Sequence, residues 1–284
     1  MRGPAKADAQ LQRTIAAPIQ CAGVGLHTGA SVHVRLLPAA EDAGIAFVLE
    51  RGGRRVEIPA RAEWLVSTER ATSLGRDGVR VSTVEHLLAA LYGLGVDNVR
   101  VELDGPEIPA LDGSAAPWVE LLHRSGLREQ PAARRTLALE RTLQLREGEA
   151  WIRAEPCAGF ALRYAIDFPH PAIGRQELSV DGDDPELFER EIAPARTFGF
   201  ASELPGLVEH GLARGGSLAS AVLLDQGGVV NPEGLRFPDE PLRHKILDLF
   251  GDLALLGARL RARVQVERGG HRLHQALIAA LRPG

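Results

Sequence analysis

A histidine and two aspartates recur at one-turn intervals within residues 243–252. The apolar residues of this stretch follow a helical period, and His244, Asp248 and Asp252 lie at i, i+4 and i+8 on one side of the expected helix. A neutral imidazole and a carboxylate one turn apart can supply two ligands of a tetrahedral zinc site. Lys245, one of only two lysines in the chain, lies beside them. Taken alone, this spacing also fits a solvated helix face, so a metal site requires further ligands.

Glu85 and His86 are adjacent at the start of another expected helix. His86 with His244 and Asp248 forms a set of two histidines and one aspartate, which leaves one ligand position open for water, as in catalytic zinc sites. Glu85 could take a proton from that water. The alternative is that Glu85 closes a capping box with Ser82, and that His86 is only a polar residue on an apolar helix.

Three further polar residues complete a candidate hydrolytic site. His271 follows two glycines at the start of an expected helix, where it could act as a general acid from the side opposite Glu85. Asp252 could hold that imidazole and favour its charged form. Thr197 offers a hydroxyl that could stabilise an oxyanion. Taken singly, His271 also fits a helix-terminal polar residue, and Thr197 fits an ordinary turn.

The composition excludes several other classes of protein. The 284 residues, 45% hydrophobic and 25% charged, allow one large domain or two ordinary ones with a sizeable core. The net charge of -4 gives no basic field for nucleic acid, and no apolar run approaches the roughly 20 residues of a membrane span. Cys21 and Cys157 lie far apart in sequence, which predicts free thiols in a reducing cytoplasm. Residues 1–10 have no apolar signal core and are expected to form a disordered lead-in.

The expected helices and strands repeat one plan in the two halves of the chain. The first half has expected strands at 32–36, 45–49 and 99–103 and expected helices at 84–91 and 114–126. The second half has expected strands at 136–145, 151–155, 160–168 and 260–267 and expected helices at 241–256 and 271–281. Residues 129–133 are the expected linker. Each half thus ends helix–strand–helix, which predicts an α+β protein of two similar units. The repeat alone does not distinguish duplication from convergence.

Short motifs are distributed along most of the chain. They are GVGLHTG at 23–29, STVEH at 82–86, PEIP at 106–109, LDGSAAP at 111–117, DFPHP at 167–171, ARTFGF at 195–200, GLRF at 234–237, RHK at 243–245 with Asp248, and GH at 270–271. By these motifs the chain, from about residue 11 to 282, resembles the UDP-3-O-acyl-N-acetylglucosamine deacetylases. These are zinc amidases that catalyse the committed step of lipid A synthesis in Gram-negative bacteria.

The resemblance implies a metal site, a catalytic set and a substrate-binding set. The implied ligands of Zn2+ are His86, His244 and Asp248. The implied catalytic residues are Glu85 as the base, His271 as the cationic acid, Thr197 as the oxyanion donor and Asp252 as the partner of His271. The implied substrate-binding residues are Lys245 and Arg268 at the diphosphate, Phe168 near the uracil, and Phe198.

The resemblance also implies the fold and the reaction. Two similar two-layer βα sandwich domains, residues 11–130 and 131–284, would have the active site between them. An insert near residues 198–224, apolar but broken by glycine and proline, would form a passage for the acyl chain; the alternative is a loosely ordered core flap. The expected reaction is hydrolysis of the 2-acetamido group to an amine and acetate, by a cytoplasmic monomer that binds an acylated UDP-sugar and no nucleic acid. A zinc amidase for another acylated substrate, and a metal-stabilised module that binds a nucleotide sugar without turnover, are the alternatives.

Overall fold

The computed structural model describes residues 10–281 as a mixture of helices and strands, which confirms the expected α+β class. The expected lead-in lies, except for Gln10, outside the described residues. The elements of the first half are β1 (Leu11–Ile15), β2 (Ile19–Val24), β3 (Ser31–Pro38), β4 (Ile45–Arg51), β5 (Arg54–Pro59), β6 (Leu65–Ser67), β7 (Ser73–Arg76), β8 (Val79–Val81), α1 (Glu85–Gly93), β9 (Val99–Leu103), α2 (Ala116–Ser125) and β10 (Leu127–Ala133).

The second half carries a comparable series of elements. They are β11 (Thr136–Ala138), β12 (Leu143–Glu147), β13 (Ala150–Pro156), β14 (Phe160–Phe168), β15 (Gly174–Asp181), α3 (Pro185–Leu187), β16 (Phe198–Phe200), α4 (Leu204–Glu209), β17 (Val222–Asp225), β18 (Gly228–Val229), α5 (Glu240–Leu253), β19 (Arg259–Glu267) and α6 (His271–Leu281). The expected helices before and after β9 and β19 are therefore present.

The two main sheets have the same topology. Their strand orders are β2–β3–β9–β4–β5 and β12–β13–β19–β14–β15. In these orders the central pair, β9 with β4 or β19 with β14, is parallel, and the other neighbours are antiparallel. The second sheet has one further strand, β11, which pairs parallel with β19. Each half also has a small three-stranded sheet between its last long hairpin and its first long helix, β6–β7–β8 and β16–β17–β18. The repeat expected from the sequence is thus present in the strand order, which favours duplication over convergence.

Alternating side chains bury one face of these sheets. Along β3, Val32, Val34 and Leu36 are buried while the residues between them are exposed, as the period of two predicts. In contrast, every residue of α1 is buried, because this helix lies between the rest of its own half and α5. The short, wholly enclosed helix explains why polar residues on α1 need partners inside the protein.

A glycine allows α1 and α5 to approach closely. A Cβ atom added to Gly251 of α5 would lie 2.1 Å from the carbonyl oxygen of Glu85, the first residue of α1. No side chain fits in that space, so the contact requires glycine. Farther along the contact, the ring of Phe250 packs against the rings of Tyr92, Phe160 and Phe188, with centroids 5.2–5.9 Å apart. The first residue of α1 is therefore held against the C-terminal part of α5.

Two expectations about local structure are wrong. Residues 129–133 belong to β10, which pairs antiparallel with β1, so they are not a free linker. Pro131 is tolerated there because the register of the β1–β10 ladder shifts beside it. The single strand expected at residues 136–145 is two strands, β11 and β12, which pair with different partners. Cys21 and Cys157 are free thiols, as expected.

Candidate active site

Three buried side chains converge where α1 meets α5. The ligand atoms of His86, from α1, and of His244 and Asp248, from α5, all lie within 4.8 Å of one another. The rings of the two histidines meet edge to face with centroids 5.0 Å apart. His244 and Asp248 are each only 2% exposed, so the solvated helix face considered for this spacing is excluded.

The donor atoms of this cluster fit a divalent metal ion. Asp248 Oδ1 is buried and accepts no hydrogen bond within residues 10–281, although His244 Nε2 lies 3.4 Å away. His244 Nδ1 donates to the carbonyl oxygen of Ala195 at 3.1 Å, which leaves Nε2 available as a ligand. Burial, reinforced by His244, lowers the pKa of His86 to about 3, and burial also lowers the pKa of His244. Both imidazoles are thus neutral, as metal ligation requires.

Asp248 is held in its ionised form by its neighbours. Burial by itself would raise the pKa of this carboxyl, but the positive charges facing it, that of Lys245 first and then that of His271, outweigh burial and hold the pKa well below its usual range. Lys245 Nζ donates to Asp248 Oδ2 at 2.8 Å and also lies 5.7 Å from the ring centroid of Phe198. The carboxylate therefore presents one oxygen to Lys245 and its unpartnered oxygen to the two imidazoles.

Glu85 is buried beside the cluster and does not cap its helix. Val84 precedes the helix, and no side chain caps it. Glu85 Oε2 instead accepts a hydrogen bond from the backbone N–H of Thr72 at 3.0 Å, while the Ser82 hydroxyl bonds to Ser73. The capping alternative is therefore wrong. Burial raises the pKa of Glu85 to about 8, against the opposing charge of His271, which places this carboxyl in the range of a general base.

His271 differs electrostatically from the two histidines of the cluster. Its Nδ1 lies 2.8 Å from Asp252 Oδ2, and its Nε2 lies 3.9 Å from Asp248 Oδ2. Burial alone would lower the pKa of His271, but the carboxylates of Asp252 and Asp248 outweigh it and raise the pKa to about 9. The side chain is only 10% exposed, so His271 is not an ordinary helix-terminal residue. The cationic imidazole of His271 thus lies near the neutral imidazoles of His86 and His244.

Asp252 accepts four hydrogen bonds, and three of its partners, His274, Thr72 and Gln275, were not expected from the sequence. Its Oδ2 accepts from Nδ1 of both His271 and His274 at 2.8 Å. Its Oδ1 accepts from the Thr72 hydroxyl at 2.6 Å and from Gln275 Nε2 at 2.9 Å. Burial would raise the pKa of Asp252, but His271 outweighs it and lowers the pKa well below the usual range.

His274 extends this network to a buried tyrosine. Nε2 of His274 lies 3.0 Å from the hydroxyl of Tyr164. Burial lowers the pKa of His274, so the ring is neutral and its single proton is on Nδ1, which donates to Asp252. The Tyr164 hydroxyl is therefore the donor to Nε2. The spacing of His274, three residues after His271, is a sequence signal that could have been used, because it places both on one face of α6. No sequence pattern pointed to Tyr164 or Thr72, which reach the site only through tertiary contacts.

The aromatic residues that were expected to bind substrate lie together beside His244 of the candidate metal site. The rings of Phe168 and Phe198 are in edge-to-face contact with centroids 5.6 Å apart. The ring of Phe198 lies 6.4 Å from that of His244, and Lys245 faces the same ring. These side chains form a mixed apolar and cationic surface next to His244.

Thr197 and Arg268 lie on loops that border the site. The backbone N–H of Thr197 donates to the carbonyl of Gly113, and its carbonyl accepts from Val222, each at 2.8 Å, which fixes this segment between the two halves. Arg268 ends the turn after β19 with a φ of 51°, and its guanidinium pairs with Asp167. The roles of Thr197 and Arg268 therefore stay predictions from the sequence.

The site combines two neutral imidazoles and a carboxylate that could bind a metal ion. Beside them lie a carboxyl of raised pKa and a cationic imidazole. This combination is typical of a metal-dependent hydrolase. The sequence model of the family described as UDP-3-O-acyl N-acetylglycosamine deacetylase matches residues 12–282, and the chain belongs to this family. The expected family and enzyme class, a deacetylase and hence a hydrolase, are therefore confirmed.

Curated relatives match nearly the full length of the chain. The UDP-3-O-acyl-N-acetylglucosamine deacetylase of Anaeromyxobacter dehalogenans is 48% identical over 267 residues, which cover 94% of this chain and 86% of that protein. The protein of the same name from Myxococcus xanthus is also 48% identical, with 94% and 85% covered. That of Thermosynechococcus vestitus is 48% identical over 280 residues, with 98% and 96% covered. Within residues 10–281, no helix has both the length and the apolar character needed to cross a bilayer.

Proposed function

We propose that this chain removes the N-acetyl group of UDP-3-O-acyl-N-acetylglucosamine, giving UDP-3-O-acyl-glucosamine and acetate in the committed step of lipid A synthesis. The observation that carries the proposal is the unpartnered, buried oxygen of Asp248 between two neutral imidazoles, with Glu85 and His271 beside it. Family membership and the names of the relatives supply the substrate.

The metal that these residues would hold is Zn2+. The donors are the nitrogens of His86 and His244 and the oxygen of Asp248, and two imidazoles with one carboxylate are a common donor set of catalytic zinc. When bound, zinc supplies Lewis-acid polarisation of the amide carbonyl and lowers the pKa of a water ligand. A cation held next to Glu85 also favours the ionised form of that carboxyl, which matches its assignment as the base.

Three side chains would transfer the protons and stabilise the negative charge that develops during the reaction. Glu85 accepts a proton from the attacking water. Thr197 donates to the oxyanion of the tetrahedral intermediate. His271, kept cationic by Asp252, gives its proton to the departing amine. Its raised pKa of about 9 supports this assignment, because the acid must be protonated at the same pH at which Glu85 is ionised.

The nucleotide and the acyl chain are assigned to adjoining parts of the site, because Phe200 of the insert lies against the rings of Phe168 and Phe198. Lys245 and Arg268 would face the diphosphate, and Phe168 with Phe198 would contact the uridine. The insert near 198–224 would hold the acyl chain. Its apolar side chains Phe200, Leu204, Leu207, Val208, Leu212 and Leu218 are all at least partly exposed, which argues against a core flap and supports an apolar passage.

We also propose a cytoplasmic monomer with two domains, residues 11–130 and 131–284. The duplicated sheet topology supports two units. One chain supplies both α1 and α5, so no second copy is needed to complete the candidate site. The free thiols of Cys21 and Cys157 are compatible with a reducing compartment.

The test is acetate release from the acylated UDP-sugar by the zinc-loaded protein, compared with Glu85→Gln. The substitution keeps the size of the side chain, so folding and zinc content should be unchanged, while loss of the base should lower kcat by about 10²–10⁴. Wild-type turnover in Glu85→Gln would remove Glu85 from the mechanism. Tight binding of the nucleotide sugar without acetate release by the wild type would favour the binding-module alternative, and release only from other acylated amides would favour another zinc amidase.

A further inference from the structure

Thr72 uses all three of its polar groups within the candidate site. It lies on the turn between β6 and β7 and is fully buried. Its backbone N–H donates to Glu85 Oε2 at 3.0 Å, and its carbonyl accepts from the N–H of Val84 at 3.3 Å. Its hydroxyl donates to Asp252 Oδ1 at 2.6 Å. A residue that is neither a metal ligand nor a proposed catalytic group therefore contacts α1 and α5 at the same point.

The Thr72 hydroxyl also constrains the ring of His271. Thr72 Oγ1 lies 3.2 Å from His271 Nδ1, while Asp252 Oδ2 lies 2.8 Å from the same nitrogen. Because the hydroxyl proton goes to Asp252, the lone pairs of Oγ1 face the Nδ1–H of His271, which is shared between two acceptors. This three-centre contact fixes the plane of the imidazole and directs Nε2 toward Asp248.

We propose that Thr72 is a positioning residue that holds the proposed base, Glu85, and the proposed acid, His271, in one fixed relative geometry. The inference rests on the proposed function. The two groups come from different helices in different halves of the chain, α1 and α6, and Thr72 bonds to Glu85 directly and to His271 both directly and through Asp252. Catalysis requires both groups within a narrow range of positions, so loosening this link should slow turnover and leave ground-state binding unchanged.

The discriminating variant is Thr72→Val, which removes only the hydroxyl and keeps the branched shape and the backbone N–H that bonds to Glu85. We expect kcat for acetate release to fall by about 10–100-fold, because a small misplacement of a catalytic group can cost up to about 10²-fold in rate. KM and zinc content should be unchanged, because Thr72 contacts neither the expected substrate groups nor a metal ligand. Thr72→Ser, which restores the hydroxyl, should restore kcat.

A matched control separates positioning from general stability. Thr14 is likewise fully buried, and its hydroxyl donates to the carbonyl of Asn98 at 2.6 Å, remote in sequence and fold from the site residues. Thr14→Val removes the same type of hydrogen bond and should destabilise the protein without lowering kcat at temperatures well below unfolding. The inference is overturned if Thr72→Val keeps wild-type kcat, if Thr72→Ser fails to restore it, or if Thr14→Val lowers kcat equally.

The same series distinguishes this inference from the proposed function. Acetate release by the wild type, with loss in Glu85→Gln, supports the proposed function whatever Thr72 does. Against that background, full kcat in Thr72→Val refutes the positioning role alone. A wild-type protein that releases no acetate refutes the proposed function and this inference together.

Discussion

The close approach of α5 to the start of α1 leads to a specific prediction for Gly251→Ala. The new Cβ would lie 2.1 Å from the carbonyl oxygen of Glu85, 2.8 Å from its carbonyl carbon and 2.9 Å from its Cα. Real Cβ contacts essentially never fall below 3.0 Å, so the backbones must separate by about 0.9 Å. Both sides of the contact are backbone atoms of helices, so no flexible side chain can turn away to relieve it.

This separation should cost both stability and activity. Overpacking in a core costs about 1–3 kcal/mol, and a backbone contact belongs at the upper end of that range. Alanine regains about 1 kcal/mol of helix propensity, which leaves a net loss of about 2 kcal/mol in the free energy of unfolding. A shift of nearly 1 Å also moves Glu85 and His86 relative to His244 and Asp248, and a misplacement of that size can cost about 10²-fold in rate.

The measurements are urea unfolding, zinc content and kcat/KM for acetate release. Gly206→Ala is the control for the unfolding measurement only, because Gly206 belongs to the segment assigned to the acyl chain. Gly206 lies in the short helix α4, and a Cβ placed there meets no atom within 4 Å other than its chain neighbours and the backbone of its own helix. That variant should be neutral, or more stable by about 0.4–1 kcal/mol. A Gly251→Ala protein with wild-type stability, zinc affinity and turnover would refute the argument that the α1–α5 contact sets the geometry of the site.

Three further predictions concern the metal, the acid and the acyl chain. His244→Ala should lower zinc content and activity in proportion, and full activity in a metal-free preparation would rule out a metal-dependent mechanism. The pKa of His271 is raised to about 9, so its protonated form is lost only as the pH rises through that value. Asp252→Asn removes the largest cause of the rise in this pKa. The substitution should therefore move the alkaline limb of the kcat/KM profile to lower pH. An unmoved limb would assign the acid to another group. Shortening the 3-O-acyl chain of the substrate by four carbons removes about 3 kcal/mol of apolar burial, so kcat/KM should fall by about two orders of magnitude. An unchanged kcat/KM across a series of acyl lengths would show that residues 198–224 do not hold the chain.

Much of the site could be predicted from local sequence because its residues lie on strongly periodic helices. The i, i+4, i+8 spacing of His244, Asp248 and Asp252 fixes their common side on α5 whatever surrounds that helix. The adjacency of Glu85 and His86 likewise places both at the start of α1. Strand alternation and the helix–strand–helix order of each half were sufficient for the fold class and for the repeat.

Local patterns failed where a tertiary partner competed with a local one. The capping box at residues 82–85 has the right letters, but the Ser82 hydroxyl bonds to Ser73 and the Glu85 carboxyl bonds to Thr72, so neither caps α1. Residues 129–133 have the composition of a linker, yet β1 provides a strand to pair with, and a shift of register accommodates Pro131. Pattern and composition describe a segment in isolation, and they carry no information about partners distant in sequence.

The sequence by itself therefore determined which helices present the candidate residues and to which family the chain belongs, and it predicted which of those residues carry the chemistry. The tertiary structure decided how the protonation states differ among the histidines. His86 and His244 are neutral because they are buried, whereas His271 is cationic because two carboxylates face it. Only the folded chain brings Thr72 into contact with Asp252 and Glu85 and packs Gly251 against α1. Desolvation and Coulomb interactions depend on distances between segments that are far apart in sequence, and such distances exist only after folding.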